Sequence, residues 1–284
     1  MTILDGKALS NKIKEEVKIE VEKLQKQRNI TPGLAVILVG NDPASATYVG
    51  SKAKSCKNAG IYSVVHEMPD TIPQDEILDI IDRMNENPNL DGILVQLPLP
   101  KHIDTTLILD AINPAKDVDG FHPYNVGRMV SNLDAFLPAT PFGVMRLFEE
   151  YNIDVVGKNV CVIGASDIVG KPMASLLINA KATVSVCNSR TKDLKAHTIA
   201  ADIICVGTGV VNLVTADMVK EDVIIIDIGI NRLDTGKLVG DVDFHAVKDK
   251  CSYITPVPGG VGPMTIAMLL KNTLKAAQNR PAHD

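Results

Sequence analysis

The segment Asn159–Pro172 constrains the fold of this chain more than any other stretch. An apolar run breaks into a loop bounded by Gly164 and Gly170, and a helical pattern follows. Glycine lets the backbone approach a diphosphate closely, while the next helix offers unpaired N–H groups and the positive end of its dipole. The spacing differs from G-x-G-x-x-G, because Ser166 holds the middle glycine position and the last glycine comes one residue late. A phosphate loop for a dinucleotide is predicted, with a plain strand-to-helix turn as the alternative.

Apolar runs and helical patterns alternate after this segment, which indicates a doubly wound parallel sheet. Thr140 can cap a helix that has Pro141 at its first position, and the run Leu137–Pro141 suits a hinge between two domains. The predicted strands are Val160–Ile163, Thr183–Cys187, Ile203–Val206 and Val223–Ile228.

The first half of the chain carries a second α/β pattern. The run Leu34–Val39 is apolar throughout and bounded by glycines, which suits a parallel strand buried on both faces. Asp42 is a natural N-cap for a helix that starts at Pro43 and ends near Gly60. The other expected elements are strands Ile61–His66 and Gly92–Gln96 and helices Leu9–Leu24, Gln74–Met84 and Thr105–Ile112.

Composition and charge argue against several classes of protein. The 284 residues are 45% hydrophobic and 22% charged, which is typical of a globular chain of two ordinary domains. The net charge of −5 and the scattered lysines indicate no nucleic-acid partner. The apolar runs are too short to span a bilayer, the first residues lack a signal-peptide core, and the five cysteines fit neither a disulfide framework nor a zinc site. We therefore expect a cytoplasmic enzyme with no metal site and no membrane partner.

Four polar side chains are candidates for chemistry. Tyr48 and Lys52 stand four residues apart on a predicted helix that starts at the strand edge where α/β proteins bind ligands. Gln96 ends a predicted strand, because the prolines that follow it forbid further pairing. The segment 114–123 contains Asp119 and has the composition of a rigid binding loop. The alternatives at this point are a chance pair on a helix, a glutamine facing water and a solvated turn.

Five motifs in a fixed order carry a family resemblance. They are Tyr48…Lys52, Gln96-Leu97-Pro98-Leu99-Pro100, Lys116-Asp117-Val118-Asp119-Gly120-Phe121-His122-Pro123, Gly164…Ile168-Val169-Gly170-Lys171-Pro172 and Pro258-Gly259-Gly260-Val261-Gly262-Pro263-Met264-Thr265. Together they resemble the bifunctional methylenetetrahydrofolate dehydrogenase/cyclohydrolase family over nearly the whole chain. The ordered set is highly specific, whereas each single motif is not.

The resemblance implies two activities and two domains. The expected reactions are NADP-dependent oxidation of 5,10-methylenetetrahydrofolate to the methenyl compound and hydrolysis of that compound to 10-formyltetrahydrofolate, in one-carbon metabolism that serves purine, histidine and methionine biosynthesis. Residues 1–139 would form a folate-binding α/β domain, completed by a returning C-terminal helix, 264–284. Residues 140–263 would form a Rossmann-like NAD(P) domain, with the cleft between the domains. A homodimer is also implied.

The resemblance also assigns roles to the candidate side chains. Lys52 would shuttle the proton during hydrolysis, which requires that its pKa fall well below the ordinary value of about 10.4. Tyr48 and Gln96 would hold Lys52 by hydrogen bonds that carry no negative charge. Asp119 would accept hydrogen bonds from the amino-pyrimidine edge of the pterin. The flat ligand would lie against the backbone of Pro258, Gly259 and Gly260.

The end of the second strand of the nucleotide domain favours NADP. An NAD-selective site usually carries an acidic residue there, but this chain has Cys187-Asn188-Ser189-Arg190-Thr191, whose hydroxyls and guanidinium suit a 2′-phosphate. The family usually has Arg where this chain has Ala165, so NAD stays possible. Ala139 and Asn188 also depart from the family, which often has Cys and His there. The expected cofactor-binding residues are Gly164, Ala165, Ser166, Ile168, Val169, Ser189, Arg190 and Ile230.

Three alternatives remain open. A shikimate-type or amino-acid dehydrogenase has the same domain order, but the runs around Gln96 and Gly259 argue against it. A short-chain dehydrogenase would explain Tyr-x-x-x-Lys, yet in that class the pair follows the nucleotide loop and here it precedes it. A non-catalytic nucleotide-binding module is disfavoured because Tyr48, Lys52, Gln96 and Asp119 are all present.

Overall fold

A computed structural model describes residues 1–281 of the protein. These residues form two compact units. Unit 1 contains Met1–Asn11, Met129–Leu133 and Pro138–Thr265. Unit 2 contains Lys12–Arg128, Asp134–Leu137 and the residues from Ile266 onward. Among residues 1–281, no helix combines the length and the apolar character needed to cross a lipid bilayer.

Strands and helices alternate along most of the chain. The strands are β1 (Thr2–Ile3), β2 (Gly33–Val39), β3 (Tyr62–Met68), β4 (Gly92–Val95), β5 (Asn159–Ile163), β6 (Thr183–Cys187), β7 (Ile203–Val206), β8 (Val223–Asp227), β9 (Asn231–Arg232), β10 (Leu238–Val239) and β11 (Cys251–Ile254). The helices are α1 (Gly6–Arg28), α2 (Pro43–Asn58), α3 (Gln74–Glu86), α4 (Thr105–Asp110), α5 (Pro123–Val130), α6 (Ala139–Glu150), α7 (Gly170–Asn179), α8 (Leu194–Ala200), α9 (Phe244–Val247) and α10 (Val261–Gln278). Two short 3₁₀ turns lie at Ala216–Met218 and Lys248–Lys250.

Unit 2 is built on a three-stranded parallel sheet with the order β3-β2-β4. The central strand β2 is buried at every position, as its unbroken apolar run predicts. Ile77 and Ile81 on α3 are fully buried in the core beside this sheet, one helical turn apart. The hydrophobic effect therefore fixes β2 and β4. Helix α2, which carries Tyr48 and Lys52, follows β2, and Gln96 follows β4.

Helix α2 starts and stops where its sequence predicts. Asp42 caps it by accepting a hydrogen bond from the Ser45 N–H at 2.8 Å, and Pro43 occupies the first turn. At the other end Gly60 has a φ of +76°, the left-handed conformation that ends helices and favours glycine. These signals fix the phase of the helix and thus the face that carries Tyr48 and Lys52.

Unit 1 is built on a six-stranded parallel sheet with the order β1-β11-β8-β7-β5-β6. Read from β6 to β11, the order corresponds to 2-1-3-4-5, one of the two common doubly wound arrangements. The prediction of a doubly wound parallel sheet is confirmed. The strand order reverses between β5 and β7, and such a switch point opens the crevice in which α/β proteins bind ligands.

Some boundaries differ from the predicted ones. The prediction that Thr140 caps a helix is wrong, because α6 begins at Ala139 after Pro138, and the Thr140 hydroxyl lies 2.9 Å from that of Thr265. Met1–Asn11 groups with unit 1, because β1 pairs in parallel with β11 at the edge of the six-stranded sheet. Most other strand and helix ends shift by no more than two residues, which is the usual uncertainty of an element's end. Helix α1 starts three residues before Leu9 and ends four residues after Leu24, and α10 starts at Val261 and ends at Gln278. Residues 282–284 of the expected last helix lie outside the described residues.

Candidate functional site

The first group of polar side chains lies in unit 2 around Lys52. Its side chain is only 5% exposed, and the amine donates a hydrogen bond to the Gln96 carbonyl oxygen at 3.1 Å. Gln96 directly follows β4, and its own amide donates to the Leu97 carbonyl at 2.8 Å. The Lys52 nitrogen also lies 4.8 Å from the centroid of the Tyr48 ring. The structure thus brings together the lysine, glutamine and tyrosine that the sequence analysis singled out.

The surroundings of Lys52 favour its neutral amine. Burial lowers the pKa of Lys52 below its ordinary value, while the charge of Asp119 and, more weakly, Cys56 oppose that shift. Cys56 lies one turn further along α2, and burial raises the pKa of its thiol to about 11. It is therefore uncharged at neutral pH. The hydrogen bond from the Lys52 amine goes to the neutral side-chain oxygen of Gln96. The acceptor therefore carries no negative charge that would favour the protonated amine.

Asp119 is the acidic member of this group. Loss of solvent around its carboxylate raises the pKa of Asp119 to about 6, the nearby Lys52 lowers it, and Asp117 raises it again. Within residues 1–281 the carboxylate accepts no hydrogen bond from the protein. The oxygens of the Asp119 carboxylate are thus free to accept hydrogen bonds, and they lie near Lys52, whose pKa is lowered. A ligand that carries N–H donors would satisfy it.

The loop around Asp119 is held by Asp117, which sequence reasoning left without a role. The buried Asp117 carboxylate accepts hydrogen bonds from the N–H groups of Gly120, Phe121 and His122 at 3.1, 3.1 and 2.9 Å. It also accepts one from the Asn125 amide at 2.8 Å. The signal in the sequence is an aspartate with a glycine three residues later, since an aspartate at the start of a turn often bonds the backbone of that turn. Asp117 therefore fixes the loop, and Asp119 is left to face a ligand.

A second group of residues forms the loop between β5 and α7 in unit 1. Gly164 has a φ of +111°, and a Cβ there would lie 2.5 Å from the Gly207 carbonyl oxygen. A Cβ on Gly170 would lie 2.0 Å from the Gly164 carbonyl oxygen. Both glycines are therefore required by close backbone contacts. Ser166 lies between them, and its hydroxyl accepts hydrogen bonds from the Val169 and Gly170 N–H groups at 3.2 and 3.4 Å.

This loop fits the diphosphate of a dinucleotide. In the described part of the chain, the backbone N–H groups of residues 165–168 donate no hydrogen bond to protein. Four adjacent free donors before a helix N-terminus are an arrangement that binds phosphate oxygens. The Asp167 carboxylate in the same loop is paired with Lys171 at 2.5 Å, so its negative charge is offset. Gly164, Ala165, Ser166, Ile168 and Val169 are therefore residues that could hold a cofactor.

The turn after β6 carries the other predicted cofactor residues. Its shape is set by two hydrogen bonds of 2.9 Å, from the Asn188 N–H to the Thr191 hydroxyl and from the Arg190 N–H to the Asn188 side chain. Ser189 and Arg190 are exposed, and the Arg190 guanidinium forms no ion pair with any residue in the range 1–281. A free guanidinium and a hydroxyl, with no carboxylate in the turn, suit an anionic substituent on the ribose.

Two further predicted positions lie in unit 1. The Ile230 side chain is 54% exposed, just after β8, where an apolar ligand face would cover it. In the segment Pro258–Gly260, the Gly259 carbonyl accepts a hydrogen bond from the Lys7 N–H at 2.9 Å, and the Gly260 N–H donates to the Pro256 carbonyl at 2.8 Å. Pro258 is exposed at the tip of this tightly bonded turn. The turn is rigid and poor in side chains, as its sequence predicts.

We also searched the described residues for a metal-binding site. Residues 1–281 contain no cluster of three or more His, Cys, Asp or Glu side chains that could hold a metal ion. All five cysteines are free thiols and buried.

Family profiles match both halves of the chain. Residues 4–119 match the family described as tetrahydrofolate dehydrogenase/cyclohydrolase, catalytic domain. Residues 138–281 match the NAD(P)-binding domain of the same family. Among curated relatives, the bifunctional protein FolD of Aliarcobacter butzleri is 77% identical over 280 residues, covering 99% of this chain and 98% of that protein. That of Nautilia profundicola is 68% identical, covering 98% of each chain.

Solved structures agree with these matches. The bifunctional FolD methylenetetrahydrofolate dehydrogenase/cyclohydrolase of Campylobacter jejuni superposes with a TM-score of 0.97 at 59% identity, covering 99% of this chain and all of that one. The Trypanosoma brucei enzyme, solved with NADP and an inhibitor, superposes with a TM-score of 0.94 at 37% identity, covering 98% of this chain and 97% of that one. The matches extend over the length of both chains.

Proposed function

The chain belongs to the tetrahydrofolate dehydrogenase/cyclohydrolase family, and from that premise we propose how its residues carry out the two reactions. It is a bifunctional enzyme that oxidises 5,10-methylenetetrahydrofolate to the methenyl compound with NADP and then hydrolyses that compound to 10-formyltetrahydrofolate. The observation that carries the proposal is the buried Lys52 amine, bonded to a neutral Gln96 beside Asp119.

The oxidation requires only that the protein orient the cofactor and the substrate. The methylene carbon lies between two nitrogens, so its loss of hydride leaves a delocalised cation and releases no proton. The bound NADP supplies the hydride acceptor. Gly164, Ala165, Ser166, Ile168 and Val169 would hold the cofactor and the Pro258–Gly260 turn would lie against the flat folate, and no side chain must act as an acid or base.

The hydrolysis requires a proton shuttle. Water adds to the methenyl carbon and must lose a proton, and the bond from that carbon to N5 then breaks as N5 gains a proton. Lys52 accepts the first proton as a neutral amine and returns one to N5 as the ammonium. Burial lowers its pKa toward the working range, and the substrate cation would push it lower still.

Asp119 fixes the substrate ring. Its carboxylate has no protein donor in the described chain, which supports the proposal that it would accept hydrogen bonds from N–H groups on the amino-pyrimidine edge of the pterin. Asp117 keeps the backbone of this loop in place. Tyr48 packs beside the amine of Lys52 and limits where the reacting carbon can lie.

Cofactor choice rests on the turn after β6. We propose a preference for NADP, read by Ser189 and Arg190, because both are exposed and the turn has no carboxylate. Ala165 stands where the family usually has an arginine, so Arg190 would carry the 2′-phosphate contact alone among cationic side chains of these two turns. NAD would then be the weaker cofactor, but a usable one.

The remaining assignments are also proposals. Residues 1–139 with the last helix would be the folate-binding part and residues 140–263 the nucleotide-binding part. The start of the second family match at residue 138 supports a boundary near residue 139, whereas that match includes the last helix. Five free thiols suit a reducing cytoplasm. The family resemblance supports a homodimer, which light scattering of the purified protein would test, and a place in one-carbon supply for purine, histidine and methionine synthesis.

A spectrophotometric assay tests the proposal. The purified protein is given 5,10-methylenetetrahydrofolate with NADP or NAD, and the reduced cofactor and the methenyl compound are followed together. Reduced cofactor that appears without lasting methenyl absorbance, fastest with NADP, is the expected result. Faster turnover with NAD would make Ala165 the deciding residue for cofactor choice. No turnover with either cofactor would refute the proposed function.

A further inference from the structure

Two buried carboxylates in unit 1 lie outside the groups described so far. Asp227 ends β8 and is 4% exposed, while Asp241 follows β10 and is 0% exposed. The Asp241 carboxylate accepts hydrogen bonds from the Thr208 N–H at 2.5 Å, the Thr208 hydroxyl at 2.9 Å and the Gly209 N–H at 3.0 Å. The Asn231 side-chain amide donates to its other oxygen at 2.9 Å. Asp241 therefore ties the turn after β7 to the segment after β8.

Asp227 holds Asp241 in turn. Its carboxylate accepts hydrogen bonds from the N–H groups of Asp241 and Val242, both at 3.0 Å, and of Gly229 at 3.1 Å. The Asp227 N–H donates to the Thr255 hydroxyl at 2.7 Å, which links the network to the segment after β11. Each of these hydrogen bonds to the two carboxylates comes from an N–H or O–H donor, so both carboxylates act only as hydrogen-bond acceptors.

The network leaves no room for extra atoms. A Cβ on Gly229 would lie 2.2 Å from an Asp241 oxygen, and a Cβ on Gly240 would lie 1.8 Å from an Asp227 oxygen. The sequence pairs Asp227 with a glycine two residues later and Asp241 with a glycine just before it. The carboxylates and their glycines thus form one closely packed unit.

The position of this network gives it a role. The turn Gly207–Gly209 follows β7, and its Gly207 carbonyl faces Gly164, the first residue of the phosphate loop after β5. β5 and β7 flank the point where the strand order reverses, so this turn forms one wall of the crevice that receives a dinucleotide. Ile230 lies between Gly229 and Asn231, which the two carboxylates bind.

We propose that Asp241, held by Asp227, is a positioning residue for the dehydrogenase reaction, fixing the turn Gly207–Gly209 and the segment Gly229–Asn231 as the walls against which NADP lies. The inference rests on the proposed function and deepens it. Neither carboxylate touches the reacting atoms. The hydrolysis of the methenyl compound uses Lys52 and needs no NADP, so the two activities should respond differently to the loss of Asp241.

The test replaces Asp241 by asparagine, which keeps the shape but sets an amide donor against backbone donors. NADP binding is measured by calorimetry, and the hydrolysis of added methenyltetrahydrofolate is measured without cofactor. We expect the Kd and KM for NADP to rise about tenfold or more, which corresponds to the loss of one or two bonds to a charged acceptor. We expect hydrolysis to stay within about twofold of the wild type. The control is Asp243→Asn, which alters the N-cap of α9 and keeps an accepting oxygen there.

A gentler pair of variants covers the case in which Asp241→Asn does not fold. Thr208→Val removes only the hydroxyl that donates to Asp241, and Thr208→Ser keeps it. Weaker NADP binding in the valine variant, restored in the serine variant, supports the inference. Equal NADP binding in the valine and wild-type proteins overturns it, as does a parallel loss of NADP binding and hydrolysis in Asp241→Asn. A wild-type protein that binds NADP but oxidises no methylenetetrahydrofolate would refute the proposed function alone, and the calorimetry would still decide the role of Asp241.

Discussion

Replacing Gln96 by glutamate probes the electrostatics at Lys52 most sharply. The two side chains have nearly the same shape, so the exchange places a negative charge where the structure has a neutral oxygen, 3.1 Å from the Lys52 nitrogen. The charge should hold the proton on the amine. Hydrolysis depends on the neutral amine, whereas hydride transfer does not, so the exchange should slow the first reaction and largely spare the second.

The size of the effect follows from the distance. With an effective dielectric constant of about 20, two unit charges at this separation attract by roughly 5 kcal/mol, and desolvation of the new carboxylate offsets part of that. A neighbouring opposite charge commonly shifts a pKa by about 1–3 units. The neutral fraction of Lys52 at a fixed pH below its pKa should therefore fall roughly 10- to 1,000-fold, and the rate of hydrolysis should fall with it.

The assay measures hydrolysis of methenyltetrahydrofolate as a function of pH for the wild type, Gln96→Glu and Gln96→Met. Neutral amine becomes more abundant as pH rises, so the activity of the glutamate variant should recover at a pH about 1–3 units above that of the wild type. The methionine variant lacks both the charge and the acceptor, and its profile should not move upward. Glutamate and methionine variants with the same pH profile would refute the electrostatic account of Lys52.

Three further predictions follow from other parts of the molecule. Arg190→Ala should raise the KM for NADP roughly tenfold while changing that for NAD little, because a charge-assisted bond to the 2′-phosphate is lost; an equal rise for both cofactors would show that Arg190 does not read the phosphate. Asp119→Asn should raise the KM for the folate substrate and also stabilise the protein, because burial raises the pKa of this carboxyl to about 6 from an ordinary 3.8. The ionised carboxylate then destabilises the wild-type fold above about pH 6 and not below about pH 4. Urea unfolding should therefore show that Asp119→Asn raises the free energy of unfolding by up to about 3 kcal/mol at pH 8 and leaves it unchanged at pH 4. A gain in the free energy of unfolding that does not depend on pH would contradict this. Gly170→Ala should lower the free energy of unfolding by about 1–3 kcal/mol and weaken NADP binding, because its Cβ would lie 2.0 Å from the Gly164 carbonyl oxygen. Gly127→Ala, at a helical glycine with open space around it, is the matched control and should be neutral or stabilising, and similar losses in both variants would rule out the close contact as the cause.

Local signals predicted much of the fold because their causes are local. The apolar run of β2 is buried at every position, and the cap at Asp42 and the left-handed glycine Gly60 bound α2 as expected. These signals also fix which side chains share a face, so the nearness of Tyr48 and Lys52 could be predicted. To predict the contact between Lys52 and Gln96, one must also know that the start of a helix and the end of a strand meet at one edge of a parallel sheet.

Features that depend on distant partners escaped prediction. Thr140 has the residue type and spacing of an N-cap, but its hydroxyl bonds to Thr265, 125 residues away. The two-residue strand β1 shows no periodicity and exists because β11 offers it an edge. Asp241 binds a turn 32 and 33 residues earlier, and nothing in the sequence near either segment indicates that pairing.

The central claim is that Lys52 divides the two reactions, and the most direct test measures both in Lys52→Ala. Hydride transfer from methylenetetrahydrofolate and hydrolysis of added methenyltetrahydrofolate are each compared with the wild type and with Lys54→Ala, an exposed lysine on the same helix. The structure predicts that Lys52→Ala loses hydrolysis at least about 100-fold while retaining much of its hydride transfer, consistent with the usual contribution of a proton-transfer residue. An equal loss of both reactions would contradict the claim that only hydrolysis needs the lysine.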